Sequence, residues 1–219
     1  MRLSRLSILA AALALAGGLV VVALPGAASA SSTAATKRIV LRPVSASGHV
    51  STRYRQVADH HSGEIDCSAT TVSTVAINSG IFACGPSAAY PVACWHAHAS
   101  GHVLCYRNPF GKAVTNLWGY APRHATYPRE ATAPFGIALD TGARCTIRDG
   151  GAWSAPKQHP SWVGYYSCGK YDVYASRSRA RTSGIDESHR QWTVTTAACR
   201  GKLSTHKIVK AYFVGTLGR

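Results

Sequence analysis

Seven cysteines, at positions 67, 84, 94, 105, 145, 168 and 199, all lie downstream of an N-terminus built for export, and this combination constrains the fold more than any other feature. Arg2 and Arg5 precede an apolar run from Ile8 to Leu24, and Ala28-Ser29-Ala30 supplies the small-x-small pattern at which a secretory signal is cut. Residues 1–30 therefore read as a signal peptide. The run falls short of the ~20 residues that cross a bilayer and stops at Pro25-Gly26, and no later segment approaches that length, so no membrane span is expected after cleavage. An oxidising destination makes cross-links the default use of cysteine. No C-x-x-C pair is present, which argues against a zinc knuckle or a thioredoxin-type redox site. The expected pairs are sequential, Cys67 with Cys84, Cys94 with Cys105 and Cys145 with Cys168, because each encloses one turn or hairpin. Cys199 is left over as the free thiol.

Residues 31–62 are rich in Ser, Ala and Thr and read as a flexible tether with one short β-like run at Ile39 to Val44. From there to residue 219 the pattern changes to short apolar runs broken by Gly, Pro and Asn/Asp every eight to twelve residues, with no helical period. The expectation is a single all-β domain over 63–219, a small antiparallel sandwich or barrel with about three disulfides. A Pro-rich stretch from Ala121 to Pro134 divides it into sub-parts 67–120 and 135–219, each small for an independent core. In Ala143 to Arg148, Ala143, Cys145 and Ile147 alternate with Arg144, Thr146 and Arg148, which places one face in the core and one in water. In Lys207 to Val214 apolar residues occupy both faces, as a central strand requires. Cys105-Tyr106-Arg107-Asn108 and Cys145-Thr146-Ile147-Arg148-Asp149 look alike but are one residue out of step, so they do not establish a repeat.

The whole chain carries a formal charge of +15, and loss of Arg2 and Arg5 with the signal leaves +13. Such a surface favours anionic partners through attraction that salt screens, among them teichoic or nucleic acids, acidic polysaccharides and anionic lipid headgroups. Arg outnumbers Lys 17 to 7, which also fits a GC-rich coding sequence. The densest basic segment is Arg177-Ser-Arg179-Ala-Arg181. Extended, it lines three guanidinium groups along one face about 6 to 7 Å apart, a spacing that follows a phosphate-bearing polymer. Tyr171 and Tyr174 offer stacking surface nearby, but no specific nucleic-acid motif is present.

His96-Ala-His98 in Cys94 to His102 projects two imidazoles from one face, the candidate metal ligands, but across a plain hairpin His102 falls opposite Ala97 on the other face and the third ligand is missing. No resident metal or cofactor is expected. Two further polar clusters, His60-His61 with Glu64 and Asp66, and Asp186-Glu187-Ser188-His189, contain acid–base groups without an identifiable partner. No G-x-S-x-G, H-E-x-x-H, P-loop or G-x-G-x-x-G occurs, so no catalytic residue is assigned.

Ala93-Cys94-Trp95, Val103 to Pro109, Arg144-Cys145, Arg148-Asp149-Gly150-Gly151-Ala152-Trp153, Gly164 to Gly169, Gly184-Ile185-Asp186 and Trp192-Thr193-Val194 together resemble small secreted actinobacterial proteins. The resemblance covers about Cys67 to Val214. It implies an extracellular, disulfide-linked β domain and assigns no catalytic residue; Cys199 lies outside it. The expected function is that of a secreted, cationic, non-enzymatic binding or structural protein for an anionic cell-envelope or extracellular component. The alternatives are a hydrolase with a dispersed His/carboxylate site and an inhibitor or effector acting on another protein. The sequence leaves the oligomeric state open.

Overall fold

In the computed structural model the described residues are 34–58, 65–67, 70–85, 87–120, 132–148, 150–176, 183–198 and 201–218. They belong to one unit, Thr33–Arg219. The expected signal peptide, His60, His61, Glu64, the segment holding Arg177, Arg179 and Arg181, and Cys199 lie outside the described residues.

Every regular element among the described residues is a strand: β1 (Lys37–Leu41), β2 (Arg55–Ala58), β3 (Ile65–Asp66), β4 (Thr71–Val72), β5 (Phe82–Ala83), β6 (Cys94–His96), β7 (His102–Cys105), β8 (Ala113–Tyr120), β9 (Gly136–Leu139), β10 (Arg144–Ile147), β11 (Val163–Ser167), β12 (Asp172–Ala175), β13 (Ile185–Asp186), β14 (Thr193–Ala197) and β15 (Ser204–Val214). The fold is all-β, and among the described residues no helix is long and apolar enough to cross a membrane. The strands form two sheets, one of β2 to β8 and one of β1 with β9 to β15.

The second half closes into an antiparallel barrel of six strands, in the order β15-β9-β10-β11-β12-β14 and back to β15. Alternation explains its interior. Cys145 on β10, Tyr166 on β11, Val173 on β12, Val194 on β14, and Ile208, Ala211 and Phe213 on β15 form one buried cluster. On β15 the ladder to β9 slips between Ile208 and Lys210, so Val209 and Lys210 both face solvent and the inward face resumes at Ala211. β15 is central, as expected, but by pairing with three strands, β1, β9 and β14.

The flanking sheet runs β2-β8-β7-β6-β5-β4, with β3 also on β8. Both its faces are covered. Ala83, Trp95, Leu104 and Val114 pack with Phe135 and Val214. Phe82, Cys94, Val103, Cys105 and Leu117 face the other way around Cys67 and Cys84. The three disulfides are those read from the sequence, Cys67–Cys84, Cys94–Cys105 and Cys145–Cys168. They are consistent with an oxidising environment.

The tether reading is corrected. Lys37-Arg-Ile-Val-Leu41 adds to β15 in parallel, from Lys37 opposite Lys210 to Leu41 opposite Val214, and β2 pairs with β8. The β-like run that starts at Ile39 is thus part of a strand on the edge of β15, and the Ser- and Ala-rich residues around it do not make the segment a tether. Thr36 locks this entry: its hydroxyl donates to the Ile208 carbonyl at 2.7 Å and accepts from the Trp192 N–H at 2.8 Å. Arg38 then lies 4.5 Å over the Phe213 ring and 5.5 Å over that of Trp192. The domain therefore begins near residue 33, not 63.

Candidate ligand-binding groove

The ladder between β12 and β14 holds for only two residue pairs, Asp172 with Ala197 and Val173 with Thr196. Beyond Thr196, β14 takes β13 as its partner, Ile185 opposite Val194 and Asp186 opposite Thr193. The separation of β12 from β14 leaves a groove of about 710 Å³ on the barrel wall, lined by His159, Trp162, Tyr174, Ser176, Asp186, Ser188, Thr193, Thr195 and Thr205 among others. The threonines alternate with inward-facing Val194, which is why β14 offers hydroxyls outside and methyls inside.

One wall is aromatic. After β10 the chain makes two successive turns, His159 N–H to the Pro156 carbonyl and Trp162 N–H to the His159 carbonyl, both 3.0 Å. They bring the imidazole of His159 and the indole of Trp162 face to face, with centroids 4.0 Å apart and planes 15° apart. Asp186 also lines the groove, and its Oδ1 accepts from the Ser188 N–H at 3.0 Å and the Ser188 hydroxyl at 2.6 Å. This local turn fixes the carboxylate. Tyr174 lines the groove with its ring buried, and its hydroxyl donates to the Ser154 carbonyl at 2.8 Å.

The groove thus combines a flat aromatic platform, a row of hydroxyls and one immobilised carboxylate. That set suits a polyhydroxylated ligand, whose C–H face packs on a ring while its hydroxyls exchange hydrogen bonds with threonines.

The remaining sequence candidates are dispersed. His96 pairs opposite Val103 and meets the Phe82 ring at 5.5 Å, while His98 stacks on His49 at 4.3 Å. His102 is opposite Ala97, as the hairpin reading requires, and contacts Asn116 at 3.1 Å and the edge of Trp118, 59% exposed. Among the described residues the one group with metal-ligand spacing is Cys84, Cys94 and Cys105, and all three are in disulfides. Tyr171 does not stand free as stacking surface: it stacks on His206 and its hydroxyl meets that of Thr141 at 3.0 Å. Of Asp186 to His189, Asp186 and Ser188 reach the groove. Glu187 sits near Arg38; burial raises its carboxyl pKa and the guanidinium opposes the rise.

Sequence reasoning missed His159, Trp162 and the threonines, because turn residues and ordinary strand threonines carry no motif. No protein-family model, curated protein or solved structure matches the chain.

Proposed function

We propose that this chain is an exported, cationic binding protein that seats an anionic glycopolymer of the cell envelope in the groove on the barrel wall, without turning it over. The observation that carries the reading is that the His159–Trp162 stack and Thr193, Thr195 and Thr205 line one groove. The charge of +13 left after loss of Arg2 and Arg5 supplies the long-range attraction. Arg177, Arg179 and Arg181 lie on the connection between Ser176 and Gly184, two residues that line the groove, and the reading assigns them to the polymer's anionic groups.

The test is retention of the disulfide-bonded chain on purified cell-wall polymer across a salt series. Trp162→Ala is expected to weaken binding about tenfold, the equivalent of roughly 1.4 kcal/mol. The triple Arg177→Ala, Arg179→Ala, Arg181→Ala variant is expected to flatten the slope of log affinity against log salt by up to about three. Unchanged binding by both variants sinks the proposal.

A second reading is favoured by a single observation: His159 and Asp186 line the same cavity, as a hydrolase with a dispersed His/carboxylate site requires. Release of soluble fragments from the polymer, abolished by Asp186→Asn, would replace binding with hydrolysis.

A further inference from the structure

The face of the flanking sheet that packs against the barrel ends before the strands do. Leu104 of β7 lies opposite Asn116 of β8, and Leu104 is buried with Trp95, Val114 and Phe135. Two residues further along each strand, on the same side of the pleat, His102 lies opposite Trp118. His102 and Asn116 are half-buried, whereas Trp118 is 59% exposed, the most exposed large hydrophobic residue among those described.

The indole is braced on one side and open elsewhere. The His102 ring stands at 87° to it with centroids 4.7 Å apart, and His102 Nδ1 lies 3.1 Å from Asn116 Oδ1. These two contacts hold the three side chains in one patch. Gly101, in the turn before β7, is tied to β8 by its carbonyl, which accepts from the Gly119 N–H at 3.0 Å. A Cβ on Gly101 would stand 3.5 Å from Cη2 of Trp118, so glycine leaves that part of the ring uncovered, and its φ of +73° suits the turn.

The polar pair has a definite chemistry. With Asn116 Oδ1 as acceptor, His102 Nδ1 donates, which leaves a lone pair on Nε2 of the neutral ring and two donors on the amide Nδ2. Turning the amide over exchanges the roles and again leaves a donor and an acceptor. Each of these atoms lies one carbon beyond the hydrogen bond that joins the two side chains. A hydroxyl both donates and accepts, so neighbouring hydroxyls of one ring satisfy the pair. A phosphate or carboxylate offers nothing to the acceptor, and an acyl chain nothing to either. A pyranose also presents a face of C–H groups that packs on an indole.

We infer that Trp118, His102 and Asn116 form a saccharide-binding site, in which one uncharged pyranose ring lies on the indole and its hydroxyls exchange hydrogen bonds with Asn116 and His102. The site shares no residue with the barrel groove and does not rest on the glycopolymer reading.

The test is a titration of the isotopically labelled, disulfide-bonded chain with glucose, galactose, mannose and N-acetylglucosamine, followed in the indole N–H and side-chain amide resonances. With at least one sugar the Trp118 and Asn116 signals should move together, with a dissociation constant on the order of 1 mM. Trp118→Ala should abolish the binding. Asn116→Asp, which keeps the size but removes the amide donors, should weaken it about tenfold. Thermal unfolding without sugar verifies that both variants are folded, and the exposure of Trp118 predicts an unchanged Tm for Trp118→Ala. Trp162→Ala should leave the Trp118 response intact. Shifts confined to Trp162 would support the groove and overturn this site. It is equally overturned if no sugar moves the Trp118 signal up to about 100 mM, or if Asn116→Asp titrates like the parent. Binding to phosphatidylglycerol vesicles that Trp118→Ala abolishes, with no response to sugar, would mark a lipid-facing indole and overturn it too.

Discussion

The barrel and the flanking sheet solve the same problem in different ways. The barrel's six strands are four to eleven residues long and close on themselves, so each inward residue is packed by neighbours on both sides, and one disulfide, Cys145–Cys168, suffices. In the flanking sheet β4 and β5 are two residues each and β6 is three, too few ladder bonds to hold themselves. There two disulfides lie side by side, with the Sγ atoms of Cys84 and Cys94 3.5 Å apart; neither sulfur carries a proton, so this is packing and not a hydrogen bond. Covalent links replace strand length. Removing both with alanines at 67, 84, 94 and 105 is expected to cost roughly 6 kcal/mol, about 3 for each loop, a large part of a domain's usual margin. Hydrogen exchange should then show the β5–β7 amides unprotected while β9–β12 stay protected. Loss of protection in both regions together would break the comparison. Removal of Cys145–Cys168 forfeits a similar loop contribution, about 3 kcal/mol, yet should leave β5–β7 protected.

The same contrast decides what the sequence discloses. In the barrel, Cys145 and Ile147 alternate with Arg144 and Thr146, and both strand and orientation are legible. In the flanking sheet β8 is not: Val114 packs toward the barrel and Leu117 toward the disulfides, so burial on both faces erases the period of two. The cysteine pairs are legible in both regions because each spans one turn. The groove is not, since its platform comes from a turn and its hydroxyls from threonines that any strand tolerates. Asp186 stands out in the sequence beside His189, whereas the histidine that shares its cavity, His159, lies 27 positions upstream. His98 likewise takes its partner, His49, from the stretch that composition reads as tether.

A pair of glycines sharpens the comparison at smaller cost. A Cβ on Gly164 of β11 would stand 2.0 Å from Cε3 of Trp153, so Gly164→Ala must lift the indole from the barrel wall and with it the surface under Arg148. A Cβ on Gly48 would meet the backbone of the flanking sheet at 2.5 Å from His98 N, and its φ of +75° is already one that alanine resists. Each substitution is expected to cost about 3 kcal/mol in chemical denaturation. They should differ in range. Gly164→Ala should alter Trp153 fluorescence and the position of the Arg148 guanidinium, while Gly48→Ala disturbs His49 and His98 alone, seen in their imidazole resonances. If Gly48→Ala also moves Trp153, the two regions are not separable at this level.

The smallest effect concerns two buried phenols, one in each region, and its sign depends on pH. Tyr166 fills the barrel and donates to the Pro134 carbonyl at 2.8 Å; burial raises its pKa well above the usual value, and the charge of Glu187 adds to the rise. Tyr106 packs under the flanking sheet and donates to the Gly111 carbonyl at 2.8 Å; burial raises its pKa too, followed by the charge on Tyr54 and a hydrogen bond with it. At pH 7 both phenols are protonated in folded and unfolded chains alike, so Tyr→Phe removes one hydrogen bond and should cost about 1 kcal/mol at either site. A raised folded pKa means that the unfolded chain releases its proton first, near pH 10. The stabilisation is therefore complete below that pH and is lost as pH rises through the folded pKa. Phenylalanine has no proton to lose, so the deficit of Tyr166→Phe and Tyr106→Phe should shrink above about pH 10 and then reverse. Glu187→Gln should let Tyr166 ionise at lower pH and leave Tyr106 untouched, because Glu187 acts on the barrel phenol alone. A stability gap between parent and Phe variants that stays constant from pH 7 to 11 would refute the desolvation argument, and a Glu187→Gln effect on both phenols would show that the two regions share one electrostatic environment.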